Sequence, residues 1–179
     1  SIHSVRENCA YVPQDNFLFS DTIARNIAFG NSQVDMGMVR HAAVLADVDE
    51  NISQFQQGYE TVLGERGVTV SGGQKQRISI ARALMKDAPI LILDDSVSAV
   101  DTKTERAILD NLKQTRQGKT TILIAHRIST IEQMDKVLFI DGGTVAGFGT
   151  HEALYAQNAA YRKMVDLQRL EEEGGKVNA

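Results

Sequence analysis

A short apolar segment that ends in two aspartates constrains the fold of this chain more than any other feature. Residues 90–93 read Ile-Leu-Ile-Leu and are followed by Asp94 and Asp95. An unbroken apolar run of this length is typical of a parallel strand buried on both faces. Carboxylates at the carboxyl end of such a strand lie where α/β sheets bind ligands. Adjacent acidic groups are costly unless a cation or a water-activating role requires them, so we predict a Mg²⁺-nucleotide site, with a solvated turn as the alternative.

A second segment predicts an anion-binding helix N-terminus. Residues 70–77 read Val-Ser-Gly-Gly-Gln-Lys-Gln-Arg and open a helical run that continues to Met85. Ser71 is placed to cap the helix, and Gln74 is placed to answer it as in a capping box. The paired glycines let another molecule approach backbone N–H groups that have no helical partners, and the helix dipole favours a phosphate there. The alternative is an ordinary capped surface helix.

In this order, the elements resemble the nucleotide-binding domain of ATP-binding cassette (ABC) transporters, specifically of the exporter type. The signature matches at residues 70–74, with Val70 where leucine is usual, and the Walker B strand matches at residues 90–94. The Gln-loop, the D-loop and the switch histidine match at Gln14, residues 98–101 and His126. The resemblance implies an α/β fold, namely a P-loop NTPase (RecA-like) core fragment with the ABC helical subdomain.

The resemblance also implies the cofactors, ATP and Mg²⁺, and a role for each matching residue. The signature residues would hold the γ-phosphate of ATP bound by the opposite subunit, and the D-loop would join them in binding the cofactor: Ser71, Gly72, Gly73, Gln74, Ser98 and Asp101. Asp94 and Gln14 would serve Mg²⁺ and the attacking water. His126 would sense the γ-phosphate, and Asp95 stands at the position of the catalytic base. Taken alone, Gln14 is also compatible with a surface loop and His126 with a structural hydrogen bond.

The remaining pattern divides the chain into three parts, which we expect to form one partial nucleotide-binding domain over residues 1–179. Residues 15–87 are expected to hold the helical subdomain, with helices at 36–45 and 52–55, and with a short helix capped by Ser20-Asp21. Residues 88–150 are expected to hold a helix from Asp101 to about residue 117, a buried strand at 120–125, and a hairpin around Gly142-Gly143. Residues 151–179 are expected to be a helix to residue 170 with a frayed tail at 171–175.

Three large apolar residues in a loop, Phe17-Leu18-Phe19, are predicted to be either locally buried or a docking patch. The resemblance implies that Phe17, Phe19 and Glu65 meet the coupling helices of a transmembrane domain, at the cytoplasmic face of a membrane. It also implies a second nucleotide-binding domain as partner. A net charge of −4 argues against a nucleic-acid partner, and the single cysteine, Cys9, allows no internal disulfide. The sequence contains no secretory signal and no long apolar span.

One departure from the family pattern concerns the P-loop. No Gly-x-x-x-x-Gly-Lys-Ser/Thr occurs in the 179 residues, and that motif supplies most phosphate contacts in such proteins. We therefore expect the sequence to represent the C-terminal two thirds or so of a nucleotide-binding domain and to be inactive by itself. The missing central strand is expected to leave apolar sheet edges that favour dimerisation or swapping.

The second departure is Asp95, which stands where the family places a glutamate. A general base must reach its water within hydrogen-bonding distance, and the shorter side chain retracts the carboxylate by one methylene. We therefore expect this site to hydrolyse ATP poorly, as in the degenerate half of a heterodimeric exporter. The alternatives are a homodimeric exporter with two slow sites, and a soluble non-transport ABC ATPase or regulatory module.

Overall fold

The computed structural model describes residues 1–31, 33–64 and 68–177, with side chains through residue 171. The chain divides into two compact units, Ser1–Ile124 and Ala125–Ala179. Glu65 lies outside the described residues, so its predicted docking role stays a prediction. The three predicted parts of the domain, which meet after residues 87 and 150, are defined by sequence motifs and not by compact units. This division stays a prediction.

In its described residues, the first unit combines helices with three short strands. Its elements are α1 (Ile2–Asn8), β1 (Cys9–Val12), α2 (Ile23–Ile27), α3 (Met36–Leu45), α4 (Asp49–Ser53), a 3-10 turn (Gly58–Glu60), α5 (Gly72–Met85), β2 (Ile90–Asp94), α6 (Thr102–Thr115) and β3 (Thr120–Ile124). Side-chain caps fix where the longer helices begin, since Asp35, Ser71 and Asp101 each accept a hydrogen bond from the first turn that follows.

The three strands form a parallel sheet in the order β1-β2-β3. Val12 is opposite Leu93, and Asp94 is opposite Ile124, so the carboxyl ends of all three strands meet at one edge. Alternate residues of β2, Leu91 and Leu93, are fully buried in the core of the unit. The sheet therefore brings the residues that follow β1 and β2 side by side.

The prediction that β2 is buried on both faces is confirmed for one face only, since Ile90 and Ile92 on the other face are half-buried. The prediction that β3 is a buried strand is wrong. Its Ile122 and Ile124 side chains are 48% and 44% exposed. Within the described sheet β3 pairs only with β2, and an edge strand lacks the cover that neighbours give a central strand. The exposed side chains agree with the expectation of an open apolar edge.

The helical part of this unit packs α5 against α2 and α3. Fully buried apolar side chains from these helices and from α4 belong to one core cluster: Ile23, Ile27, Val39, Ile52, Ile78 and Ile80. The helix predicted at 36–45 is confirmed, whereas the one predicted at 52–55 is α4, three residues earlier. The cap of α2 is Thr22, whose Oγ1 accepts from the Arg25 N–H at 3.1 Å, so the prediction of Ser20-Asp21 is wrong.

Over residues 125–177, the second unit holds a hairpin and three helices. Its elements are α7 (Ile128–Ile131), β4 (Val137–Asp141), β5 (Thr144–Gly149), α8 (His151–Gln157) and α9 (Ala159–Val177). The predicted hairpin is confirmed, and its two glycines have positive φ angles of 55° and 75°. The helix predicted from residue 151 is interrupted at Asn158, whose Oδ1 accepts from the Tyr161 N–H. The backbone of α9 is helical through Val177, so the prediction of a frayed tail at 171–175 is wrong.

Candidate functional site

The N-terminus of α5 forms the predicted capping box. The Ser71 Oγ accepts from the Gln74 N–H at 3.2 Å, and the Gln74 Oε1 accepts from the Ser71 N–H at 2.9 Å. Gly72 is exposed and Gly73 is half-buried. Because the first N–H groups of a helix have no intrahelical acceptors, this end is suited to an anion.

The two signature glycines have different surroundings. A Cβ atom on Gly73 would lie 3.1 Å from the Ala99 carbonyl oxygen and 3.5 Å from Val100 Cγ1. On Gly72 it would meet only the Ala99 Cβ, at 4.0 Å. Gly73 thus lets α5 pack directly on the loop that precedes α6, whereas Gly72 keeps an exposed backbone accessible.

These surroundings predict that alanine substitutions at the two glycines differ in their effect on stability. Gly73→Ala should have a free energy of unfolding about 1 kcal/mol lower than that of Gly72→Ala. Both variants gain the higher helix propensity of alanine, but only Gly73→Ala is overpacked, which costs about 1–3 kcal/mol. Urea denaturation of the two variants measures this difference. Equal stabilities would mean that the Ala99 backbone moves aside without cost.

A second group of side chains lies at the carboxyl edge of the sheet. Asp94 ends β2, and Gln14 follows β1 by two residues, so the parallel pairing places them on neighbouring strand ends. The Tyr11 hydroxyl donates to Asp94 Oδ2 at 2.9 Å. This hydrogen bond to a carboxylate raises the pKa of the Tyr11 phenol. Asp94 therefore has one oxygen oriented by β1.

The donor set at this edge suits a magnesium ion that arrives with a nucleotide. Mg²⁺ in such sites takes one or two carboxylates, phosphate oxygens and waters. Asp94 offers one carboxylate, and Gln14 offers an exposed amide. Across residues 1–31, 33–64 and 68–177, no three His, Cys, Asp or Glu side chains come together as a metal-binding group. The residues present thus fit a Mg²⁺-nucleotide and do not form a cage by themselves.

Asp95 begins a tight turn after β2 with a left-handed backbone, φ 47°. Its N–H donates to the Ile124 carbonyl at 3.2 Å, and its own carbonyl accepts from Ser98 Oγ at 2.9 Å. Aspartate tolerates this conformation better than most residues with a Cβ atom. Ser96 is fully buried, and its Oγ lies 3.0 and 3.1 Å from the carbonyl oxygens of Val12 and Asp94, which share its single O–H proton. The turn is therefore fixed to β1, to β3 and to its own following loop.

The predicted D-loop residues have local bonding roles in this structure. Ser98 closes the Asp95 turn, and Asp101 caps α6 by accepting from the N–H groups of Lys103 and Thr104, both at 3.0 Å. The N–H of Thr104 is the main reason that the pKa of the Asp101 carboxyl is lowered. Their part in cofactor binding stays a prediction.

The cap at Asp101 predicts a pH dependence of stability. Because the folded-state pKa is lowered, the ionised cap stabilises the fold above the unfolded-state value of about 3.9, and this contribution disappears as the pH falls through the folded-state value. Asp101→Asn keeps a good N-cap without a titrating group. Between about pH 5 and pH 2 the wild type should therefore lose more thermal stability than Asp101→Asn. Parallel melting curves of the two proteins in that range would contradict the assignment.

His126 follows β3 by two residues, belongs to the second unit and has an exposed side chain. Its predicted role stays a prediction.

The aromatic segment after β1 borders a groove of about 670 Å³ in the first unit. Phe19 stacks on Phe29 with ring centroids 4.4 Å apart, and the Arg82 guanidinium lies 5.4 and 5.6 Å from the two ring centroids. Arg82 also donates to the carbonyl oxygens of Asn26 and Phe17, at 2.7 and 2.8 Å. Phe17 is 63% exposed, so the alternative of local burial is wrong for this residue.

Sequence reasoning missed three residues that hold the site together: Tyr11, Gln76 and Ser96. Gln76 gives a usable signal, because helical spacing places it on the same face of α5 as the buried Ile80 and Ala83. A polar side chain on a buried helix face requires polar partners. Tyr11 and Ser96 give no such signal, since each bonds to a strand far away in sequence: Tyr11 to Asp94, 83 positions away, and Ser96 to Val12, 84 positions away.

The comparisons with known proteins agree with this architecture. Residues 1–98 match the family model described as ABC transporter. The chain is 50% identical over 167 residues to a probable multidrug resistance ABC transporter ATP-binding/permease protein, YheI, of Bacillus subtilis. It is 49% identical over 170 residues to the multidrug resistance-like ATP-binding protein MdlA of Escherichia coli. These alignments cover 92% and 95% of the chain.

A solved structure, that of a bacterial Atm1-family ABC exporter with ATP bound, superposes with a TM-score of 0.88 at 43% identity over 93% of this chain. The fold is therefore α/β, a part of the P-loop NTPase (RecA-like) core with the ABC helical subdomain. The chain belongs to the ABC transporter family and corresponds to nucleotide-binding sequence of its exporters. It spans 28% and 29% of the two curated relatives and 30% of the solved chain.

Proposed function

We propose that this chain is part of the ATPase of an ABC exporter, which couples ATP binding and hydrolysis at a dimer interface to transmembrane export. One observation carries the proposal. The first unit packs the glycine-bearing N-terminus of α5 against the loop 98–101, which continues directly from Asp94 and Asp95. The helix end that we propose to bind phosphate and the strand end that we propose to bind magnesium are thus connected through one loop of the first unit. The names of the relatives, which include ATP-binding and multidrug resistance proteins, support this choice.

The proposed chemistry assigns each residue a task. The free N–H groups at Gly72 and Gly73, with Ser71 and Gln74, bind the γ-phosphate of ATP held by the opposite subunit. Asp94 and Gln14 would hold Mg²⁺, and the ion would supply charge neutralisation for the phosphoryl group. Asp95 accepts the proton of the attacking water, and His126 donates to the γ-phosphate. Ser98 and Asp101 fix the loop beside the signature.

The proposed partners are a second nucleotide-binding domain and the coupling helices of a transmembrane domain. The groove beside Phe17 and Phe19 receives the coupling helices, with Glu65 as a further proposed contact. Asn16 lines this groove, is 7% exposed, and its Oδ1 has no hydrogen-bond partner among the described residues. A buried acceptor of this kind is costly unless an occupant donates to it. Cysteines at Phe17 and along the coupling helices should cross-link, and failure at every pair would remove this groove from the interface.

The proposal places the chain at the cytoplasmic face of a membrane. Within the residues that the structure describes, no helix is both long and apolar enough to cross a bilayer. We propose that membrane contact is made through the transmembrane domain. We also propose, from Asp95, that the site is the weaker one of a heterodimer, with a homodimer of two slow sites as the alternative.

The decisive experiment uses the complete polypeptide that contains this sequence, purified with its partner and reconstituted in lipid vesicles. Magnesium-dependent ATP hydrolysis is expected, and chelation of Mg²⁺ should stop it. The 179-residue chain alone serves as the matched control and should not hydrolyse ATP. If the complete protein binds no ATP, the assignment as a transport ATPase is wrong.

A further inference from the structure

Gln76 makes a buried connection between two parts of the candidate site. It lies one turn into α5, and its side chain is 7% exposed. Its Oε1 accepts from the backbone N–H of Ala99 at 3.0 Å, and its Nε2 donates to the backbone carbonyl of Asp95 at 3.4 Å. Both ends of the amide are thus used, and both partners are backbone groups of the turn and loop after β2.

Gln76 connects two different parts of the candidate site, the signature helix and the turn after β2. On one side, α5 begins at the signature, and Gly73 packs against Ala99 within a few residues of Gln76. On the other side, the Asp95 carbonyl belongs to the left-handed turn that also receives Ser98 Oγ. A shift of the signature helix along its axis must therefore stretch these hydrogen bonds or carry the turn with it.

We propose that Gln76 is a positioning residue that couples the two ATP sites of the dimer. This inference rests on the proposed function, in which the signature serves the partner's ATP while Asp94 and Asp95 serve the chain's own. Because a buried amide with two satisfied ends resists displacement, ATP contact at the signature is transmitted to the Asp95 turn. The Gln76 side chain itself touches no ligand.

The hydrogen bonds can be tested on the chain as it stands. In Gln76→Met, which keeps the side-chain length but removes the amide donor and leaves only a weak thioether acceptor, the Ala99 amide should exchange with solvent about tenfold faster. Ser79→Ala is the matched control, since Ser79 is buried on the same helix and its Oγ donates within that helix, to the Lys75 carbonyl at 3.0 Å. Amide exchange followed by NMR should show the change at Ala99 in the first variant alone. Unchanged exchange at Ala99 in Gln76→Met overturns the inference.

The coupling is tested in the complete transporter by the dependence of hydrolysis on ATP concentration. The wild type should be cooperative, and Gln76→Met should lower the Hill coefficient to about one, whereas Ser79→Ala should keep the wild-type coefficient. Retained cooperativity in Gln76→Met, or none in the wild type, overturns the coupling. A complete wild type without ATPase activity instead refutes the proposed function, while the Ala99 measurement still decides whether Gln76 holds the loop.

A second variant covers the case in which Gln76→Met does not fold. Gln76→Glu keeps the shape and the acceptor for the Ala99 N–H, and as a carboxylate it cannot donate to the Asp95 carbonyl. The Ala99 amide should then stay protected while the Hill coefficient falls toward one. A protected Ala99 with unchanged cooperativity contradicts the proposed link to Asp95.

Discussion

Replacing Gly72 by glutamate in the complete transporter should abolish ATP turnover while leaving ATP bound at each P-loop. The exposed N-terminus of α5 and the space around Gly72, where the nearest atom to an added Cβ is 4.0 Å away, let the new side chain be accommodated without unfolding the domain. Its carboxylate would then lie where the partner's γ-phosphate must approach, so like charges repel. Loss of a single preorganised anion contact costs about 10²–10³-fold in rate, and repulsion adds to it, so we expect a decrease of about 10³-fold or more.

Gly72→Gln is the matched control for this experiment. It adds nearly the same volume without the negative charge, so the difference between the two variants reports electrostatics rather than bulk. Binding of a fluorescent ATP analogue measures occupancy, and phosphate release measures turnover. ATPase activity of Gly72→Glu equal to the wild type would remove the signature from the mechanism. A loss equal in both variants would assign the effect to size.

Extending Asp95 to glutamate should accelerate hydrolysis at this half's own site. A correctly placed general base contributes about 10²–10⁴-fold, and the methylene restores the reach that aspartate lacks. We therefore expect about a 10²-fold gain in single-turnover hydrolysis with the other site disabled. In a heterodimer whose other site already turns over, the total rate rises only modestly, whereas in a homodimer both sites gain together.

The structure adds a cost to that substitution. Asp95 has a φ angle of 47°, a conformation that glutamate adopts less readily than aspartate, so Asp95→Glu should also lose about 1 kcal/mol of stability. Asp95→Asn is the control, because it keeps the size and removes the base. No acceleration in Asp95→Glu, measured beside a stable and ATP-binding protein, would show that Asp95 is not the limiting defect. If the wild-type site already hydrolyses ATP as fast as sites of glutamate-bearing relatives, the hypothesis that Asp95 slows hydrolysis is wrong.

Local chemistry explains which parts of this fold could be predicted from sequence. The capping box of Ser71 and Gln74, helix α3 and the hairpin at Gly142-Gly143 depend on neighbours within a few residues, and all three are confirmed. Solvent exposure, in contrast, depends on residues far away in sequence. The apolar residues of β3 predict burial, but the strand order shows that β3 lies at the edge of the described sheet. The same limit applies within the site, where Tyr11 reaches Asp94 across 83 positions of sequence. Motif spacing locates candidate ligands, whereas the groups that hold them in place become visible only in three dimensions.

The Ser96 hydroxyl has a consequence for how the site could work. From a fully buried position, its Oγ lies within hydrogen-bonding distance of the carbonyl oxygens of Val12 in β1 and Asp94 in β2, so its single proton is shared between the two strand ends and links them. Asp94 and the start of the Gln14 loop therefore keep their spacing before any ligand arrives. These residues are positioned by folding, so little reorganisation is needed on this side of the site when a nucleotide binds. During a transport cycle, the conformational change would then occur mainly in the opposing surface of the partner domain, which must move toward this preformed site.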